Sequence, residues 1–191
     1  ALVGATVEAP HVVSAGPLLS TFDPGLNLVD RQQMVFPRSE EEGRAMVRSH
    51  AASGSQAIKF WFVVRAEGEI EAFAPLLLAV GDEAAKLGLP LLVHATQLEA
   101  AKIAVAAGAH LLVHSVDDVL VDDEFVAACL ARGTALCPTL TVRDGYAQVY
   151  LSEISPEVRG QLELVSPSVR ARVLETLELS MRGDPRTLRA S

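Results

Sequence analysis

Leu89-Pro90-Leu91-Leu92-Val93-His94 and His110-Leu111-Leu112-Val113-His114 decide the reading of this chain. Each is a short apolar run that ends in histidine, and one helix-length of sequence lies between them. As parallel strands of one sheet they bring both imidazoles to the same edge, the edge at which α/β proteins build their sites. A third run, Ala57-Ile58-Lys59-Phe60-Trp61-Phe62, places a lysine inside otherwise apolar sequence.

Working outward, apolar runs alternate with helical patterns, which argues for βα units around a parallel sheet. The first expected strand is His11 to Ala15, closed by Gly16-Pro17 and followed by a long polar loop. Ser39-Glu40-Glu41-Glu42 reads as a capping box opening a helix that stops at Gly54. Strands are expected at about Ala57 to Val63, Leu89 to Ala95, His110 to Val116 and Thr134 to Leu140. Helices are expected at about Pro75 to Leu87, Leu98 to Ala107, and from Asp122 or Asp123 to Arg132. They stop at Gly88, Gly108 and Gly133, so the same αβ turn recurs three times. After Val142 the pattern is helical only, with Ser166-Pro167 opening a helix to Met181 or Arg182 and the last residues frayed. Five strands complete an open doubly wound sheet, whereas a closed (β/α)8 barrel needs eight, so the residues alone leave open sheet and partial barrel both standing.

Composition excludes several partners. The net charge of −8 and the lack of a Lys/Arg cluster argue against nucleic acid and anionic membranes as partners. No 18-residue apolar stretch occurs. The start, Ala1-Leu2-Val3-Gly4, has no basic n-region, so no signal peptide is read and a cytoplasmic location is expected; it also lacks an initiator methionine, as a processing boundary would. Cys129 and Cys137 read as buried structural cysteines rather than a disulfide.

The candidate site starts from His94 and His114. Adjacent strands lie about 4.8 Å apart, so two strand-end imidazoles can reach one ion; the alternative is two satisfied core histidines. Parity puts Leu92 with His94, and Leu112 with His114, on one face of each strand. His110 lies about 13 Å back along its strand and His11 begins one, so neither is a ligand. His50, on a helix, reads as partly exposed surface. Lys59 either snorkels or pairs with an anion, or is a neutral amine able to form a carbamate with carbon dioxide. Asp117 and Asp118 follow the His114 strand as loop caps or as groups that orient a ligand imidazole. Arg143 and Tyr146, beyond the last strand, are possible substrate contacts.

Ala57-Ile58-Lys59-Phe60-Trp61, Leu89 to Thr96, Gly108 to Val116 and Ala135-Leu136-Cys137-Pro138-Thr139-Leu140 together resemble the amidohydrolase superfamily, in its imidazolonepropionase-like and Xaa-Pro dipeptidase-like branch. The resemblance implies a partial (β/α)8 barrel, strands three to seven with their helices, as one domain over residues 1–191. It implies one or two divalent metals, zinc foremost, held by His94, His114 and a carboxylated Lys59 that bridges two ions. It further implies hydrolysis of an amide, peptide-like or cyclic amide bond in a small-molecule substrate by a metal-bound hydroxide; Tyr146, from its place beyond the last strand, is the expected substrate contact. The family's His-x-His pair and its eighth-strand aspartate have no counterpart here. The missing strands are therefore expected from the rest of the protein or another chain, a homo-oligomer included, with this piece inactive alone. A non-catalytic or small-molecule-binding α/β domain is the rival expectation.

Overall fold

In the computed structural model, residues 12–25 and 33–178 are described. They fall into two compact units, divided between Cys137 and Pro138.

The first unit is a parallel sheet with helices between its strands. Its elements are β1 (Leu18–Ser20), β2 (Met34–Val35), α1 (Glu40–Ala52), β3 (Ile58–Trp61), α2 (Glu69–Lys86), β4 (Leu91–His94), α3 (Leu98–Ala106), β5 (Ala109–Val113), α4 (Asp123–Arg132) and β6 (Ala135–Cys137). The six strands lie in the order β2-β1-β3-β4-β5-β6, every pair parallel. From β3 onward each strand lies beside the one before it, as βα units wind by default.

The first expected strand is corrected. His11 lies outside the described residues, and Val12 to Gly16 form no strand; β1 begins at Leu18. Gly16 at φ 68° turns the chain ahead of it. The polar stretch read as a loop also holds β2, so the described residues contain six strands rather than the five expected. A two-residue strand is too short to leave a periodic signal.

Capping follows the sequence. The Ser39 hydroxyl accepts from the Glu42 amide at 3.2 Å, and the Asp122 carboxylate accepts from the Phe125 amide at 2.8 Å. Gly88, Gly108 and Gly133 take φ of 67°, 86° and 68°, the left-handed conformation that lets each helix turn directly into the next strand. The start of α2 is corrected: it opens at Glu69 after left-handed Gly68, so Pro75 sits inside the helix. Pro75 removes one donor to the preceding turn, and Ile70 and Phe73, packed on the core, hold that turn in place.

The core lies between the sheet and its helices. Phe60, Ile58, Leu91, Val93 and Leu112 of the strands meet Leu77, Val80, Ala101 and Val105 of α2 and α3, all nearly inaccessible to water. Each such large side chain contributes about 1.5–3 kcal/mol through burial. Gly81 lets α2 approach the end of α3, since a Cβ there would meet the Ala107 carbonyl oxygen at 2.0 Å. His50 is corrected: it is buried, its Nδ1 2.7 Å from the Met46 carbonyl oxygen and its Nε2 2.8 Å from that of Pro17, joining α1 to the segment before β1.

The second unit contains α5 (Leu140–Leu151), α6 (Pro156–Gln161) and α7 (Pro167–Leu177). Ser166 accepts from the Val169 amide at 3.4 Å with Pro167 in the first turn, as the sequence predicts. The expected continuation to Met181 or Arg182 and the frayed end lie outside the described residues.

Candidate metal centre

Strand register assembles the site. Lys59 lies beside Leu92, Trp61 beside His94, and His94 beside Val113. Neighbours in register on parallel strands point to the same face, so Lys59, Trp61, Leu92 and His94 share the face turned away from the helices. All four are half-buried, while the alternate residues Ile58, Phe60, Leu91 and Val93 are fully enclosed against the helices.

The parity expected for His114 is corrected. Leu112 is register partner to Val93 and is buried on the helix side, so a regular strand would carry His114 to that side as well. A register shift between Leu91 and Leu92 sets this alternation, with the Leu91 amide donating to His110 Nδ1 at 3.4 Å. His114 instead follows the end of β5 at φ 76°, a backbone region costly for any residue with a Cβ. The chain turns there, and the ring comes to lie edge-on against His94, with centroids 4.7 Å apart. The His114 amide donates to the Cys137 carbonyl at 2.8 Å, which fixes the turn to β6. The two histidines do lie side by side, but through a strand geometry other than the one the sequence predicts.

Electrostatics set these residues apart. Lys59 Nζ is buried and has no hydrogen-bond partner. Burial pushes its ammonium down to about 8, an effect that Cys137 partly opposes. Burial, and then the neighbouring His114 and Lys59, push His94 down to about 4. His114 is lowered by burial first and by Lys59 second, with Asp117 opposing. All three are thus biased toward the neutral form, the form in which nitrogen ligates a metal.

The other candidates fall elsewhere. Asp118 accepts from the Leu98 amide at 3.0 Å and the Val119 amide at 2.9 Å, so it caps α3. His110 is exposed at the opposite end of β5. Tyr146 and Arg143 belong to α5 in the second unit, with Tyr146 exposed. Both cysteines are free, and Cys137 is exposed rather than buried, because β6 is an edge strand among the described residues.

Sequence reasoning passed over Trp61, although its two-residue spacing from Lys59 was a sufficient signal. Its ring meets His94 edge-on at 5.7 Å. Among the described residues no three His, Cys, Asp or Glu side chains gather as a ligand set. The donor chemistry nevertheless fits part of a metal site: two adjacent imidazoles and a buried amine that nothing else satisfies.

No protein-family model and no curated protein matches the chain. Solved structures do match. A Xaa-Pro dipeptidase with methionine bound in its active site is 19% identical over 90% of this chain, at a TM-score of 0.58. The ochratoxinase of A. niger is 16% identical over 88% of this chain, at 0.57, and an amidohydrolase is 19% identical over 87%, at 0.55. At such identities the likeness is one of fold. The chain spans 43%, 42% and 46% of the lengths of these three proteins. The fold shared with part of each of these structures is a parallel α/β sheet with its intervening helices.

Proposed function

We propose that this chain carries part of the active site of a metal-dependent hydrolase of amide, peptide-like or cyclic amide bonds. One observation carries the reading: a buried, partnerless lysine amine shares a sheet face with two desolvated imidazoles at successive strand ends. The solved structures of similar fold support it, since they include a Xaa-Pro dipeptidase and an amidohydrolase.

In this reading Lys59, His94 and His114 hold one or two divalent cations, zinc foremost. A neutral Lys59 amine adds to carbon dioxide: an N–C bond forms, a proton leaves to solvent, and the resulting carbamate presents two oxygens. A cation held by these residues would supply Lewis-acid chemistry toward water and the amide carbonyl. His94 and His114 bind through neutral nitrogens, and the edge-on Trp61 ring restrains His94. Tyr146 contacts substrate. Further ligands and a general base come from the rest of the protein or from another chain.

Metal analysis of the intact protein tests the reading. Stoichiometric zinc, manganese or iron after gentle purification is expected, and less than about 0.2 equivalents overturns it. For the carbamate, intact mass under non-acidic conditions should show a labile gain of about 44 Da that Lys59→Ala abolishes. The rival reading, a non-catalytic or small-molecule-binding α/β domain, is motivated by the absence, among the described residues, of any three His, Cys, Asp or Glu side chains gathered as a ligand set. The same metal analysis separates the two.

A further inference from the structure

We propose that Trp61, Phe22 and Arg65 form a recognition shelf beside the histidine pair, and that the shelf takes an aromatic carboxylate. The proposal rests on the hydrolase reading for what the shelf serves; its geometry and its binding test do not depend on that reading.

The shelf is a continuous run of side chains leading away from His94. Trp61 meets His94 edge-on, with ring planes at 84°. On its other side the Phe22 ring lies 5.4 Å away, tilted by 40°. Arg65 Cζ sits 4.3 Å from the Phe22 centroid, over the ring. Strand alternation puts Trp61 here: Phe60 and Phe62, its neighbours in sequence, are buried at 0% and 1% exposure, while Trp61 and Phe22 are half-buried.

The backbone beneath is well fixed. The Phe62 amide donates to the His94 carbonyl at 3.0 Å, and the Thr21 hydroxyl donates to the Val63 carbonyl at 2.9 Å. The Ser20 hydroxyl donates to the Phe22 carbonyl at 2.8 Å, which sets the turn that presents the Phe22 ring.

Two features select the ligand. Two tilted aromatic rings offer a surface that another flat ring fills in an offset or edge-on arrangement, worth about 0.5–1.5 kcal/mol beyond the area it covers. Arg65 is exposed, and no carboxylate among the described residues pairs with its guanidinium, whereas Arg44, Arg48 and Lys102 all have acidic partners. A guanidinium seated on a ring keeps its edge N–H groups available for a bidentate carboxylate. A ligand with a ring on Trp61 and Phe22 and a carboxylate at Arg65 ends beside His94 and His114. The shelf thus recognises the aromatic, anionic side of the amide to be cleaved.

Trp61 is the only tryptophan of the chain, so its fluorescence reports on the shelf directly. The full chain is titrated with 3-phenylpropanoate, with 3-phenylpropanamide, which lacks the charge, and with hexanoate, which lacks the ring. Saturable change with 3-phenylpropanoate is expected, with both comparators about tenfold weaker or worse. Arg65→Gln should weaken 3-phenylpropanoate about tenfold and leave 3-phenylpropanamide unchanged. The absence of a saturable change, equal affinity for all three, or an Arg65→Gln chain that binds 3-phenylpropanoate as before overturns the proposal. Neither metal content nor turnover enters the readout. Binding by the chain while the intact protein proves metal-free sinks the hydrolase reading alone, and a metal-loaded intact protein whose chain shows no binding sinks the shelf alone.

Discussion

The two faces of the sheet differ in enclosure, although the same strands make both. Toward the helices, Phe60, Val93 and Leu112 have at most 1% of their surface left to water. Toward the site, Lys59, Trp61, Leu92 and His94 are only half-buried, and the polar groups among them are not all satisfied. The helix side is a finished core that fixes the backbone. The site side spends that stability on an unpaired amine, two desolvated imidazoles and a strained turn at His114. Structure at functional sites commonly carries such local costs, held in place by packing elsewhere.

The largest test of this contrast is a matched pair of substitutions on β3 in the metal-free chain. Phe60→Ala should cost about 3–5 kcal/mol, because it opens a cavity in the finished core. Lys59→Met, one residue earlier, should instead stabilise by about 1–2 kcal/mol, because it removes a buried amine that has no partner. Urea unfolding of both variants measures the pair, and a loss of stability in Lys59→Met would show that the amine has found an anion. The sign with pH follows from linkage. A lysine at about 8 in the folded chain and 10.5 unfolded binds fewer protons folded in that interval. Its penalty is therefore full below about pH 8 and fades as pH rises toward 10.5, a rise in stability that Lys59→Met should lack. His94, at about 4 folded and 6.5 unfolded, acts in the acid range. Stability should fall as pH drops from 6.5 to 4, and His94→Phe should flatten that fall.

The contrast is finer at the two strand ends. His94 ends a regular strand, whereas His114 sits at φ 76°. Glycine tolerates that conformation and alanine does not, so His114→Gly should be about 1 kcal/mol more stable than His114→Ala. At position 94 the order should reverse. Equal stability of the two variants at 114 would mean that the turn relaxes once the imidazole is gone.

What the sequence made legible follows the same division. Four of the six strands, the capping box at Ser39, the Asp122 cap and the three glycine turns could all be read, because each is a local pattern that packing against helices reinforces. β1 and β2 were missed because three and two residues carry no period, and β1 takes its place in the sheet between β2 and the distant β3. Lys59, His94 and His114 could be paired from their positions in successive units. The means by which His114 reaches that face could not, since a positive φ at a non-glycine residue leaves no mark in composition. His50 was misread because the acceptor on Pro17 lies 33 residues away in sequence.

The smallest expected effect is also the sharpest test of the division between faces. Leu136 on β6 is register partner to Leu112, so it lies on the helix side. Yet it is 53% exposed, and Val126 and Leu130 of α4 are exposed as well, at 44% and 79%. If helix-side position by itself created core, Leu136→Ala would approach the cost of Phe60→Ala. If cover creates it, the loss in this chain should stay within about 0.5 kcal/mol. Unfolding of the 191-residue chain supplies the first half of the measurement. The second half is the same substitution in the intact protein, where a further strand and helix laid against β6 and α4 would bury Leu136 and raise the cost toward about 2–5 kcal/mol. An equally small loss in both settings would mean that nothing covers this edge, and that the chain's sheet ends at β6 in the whole protein too.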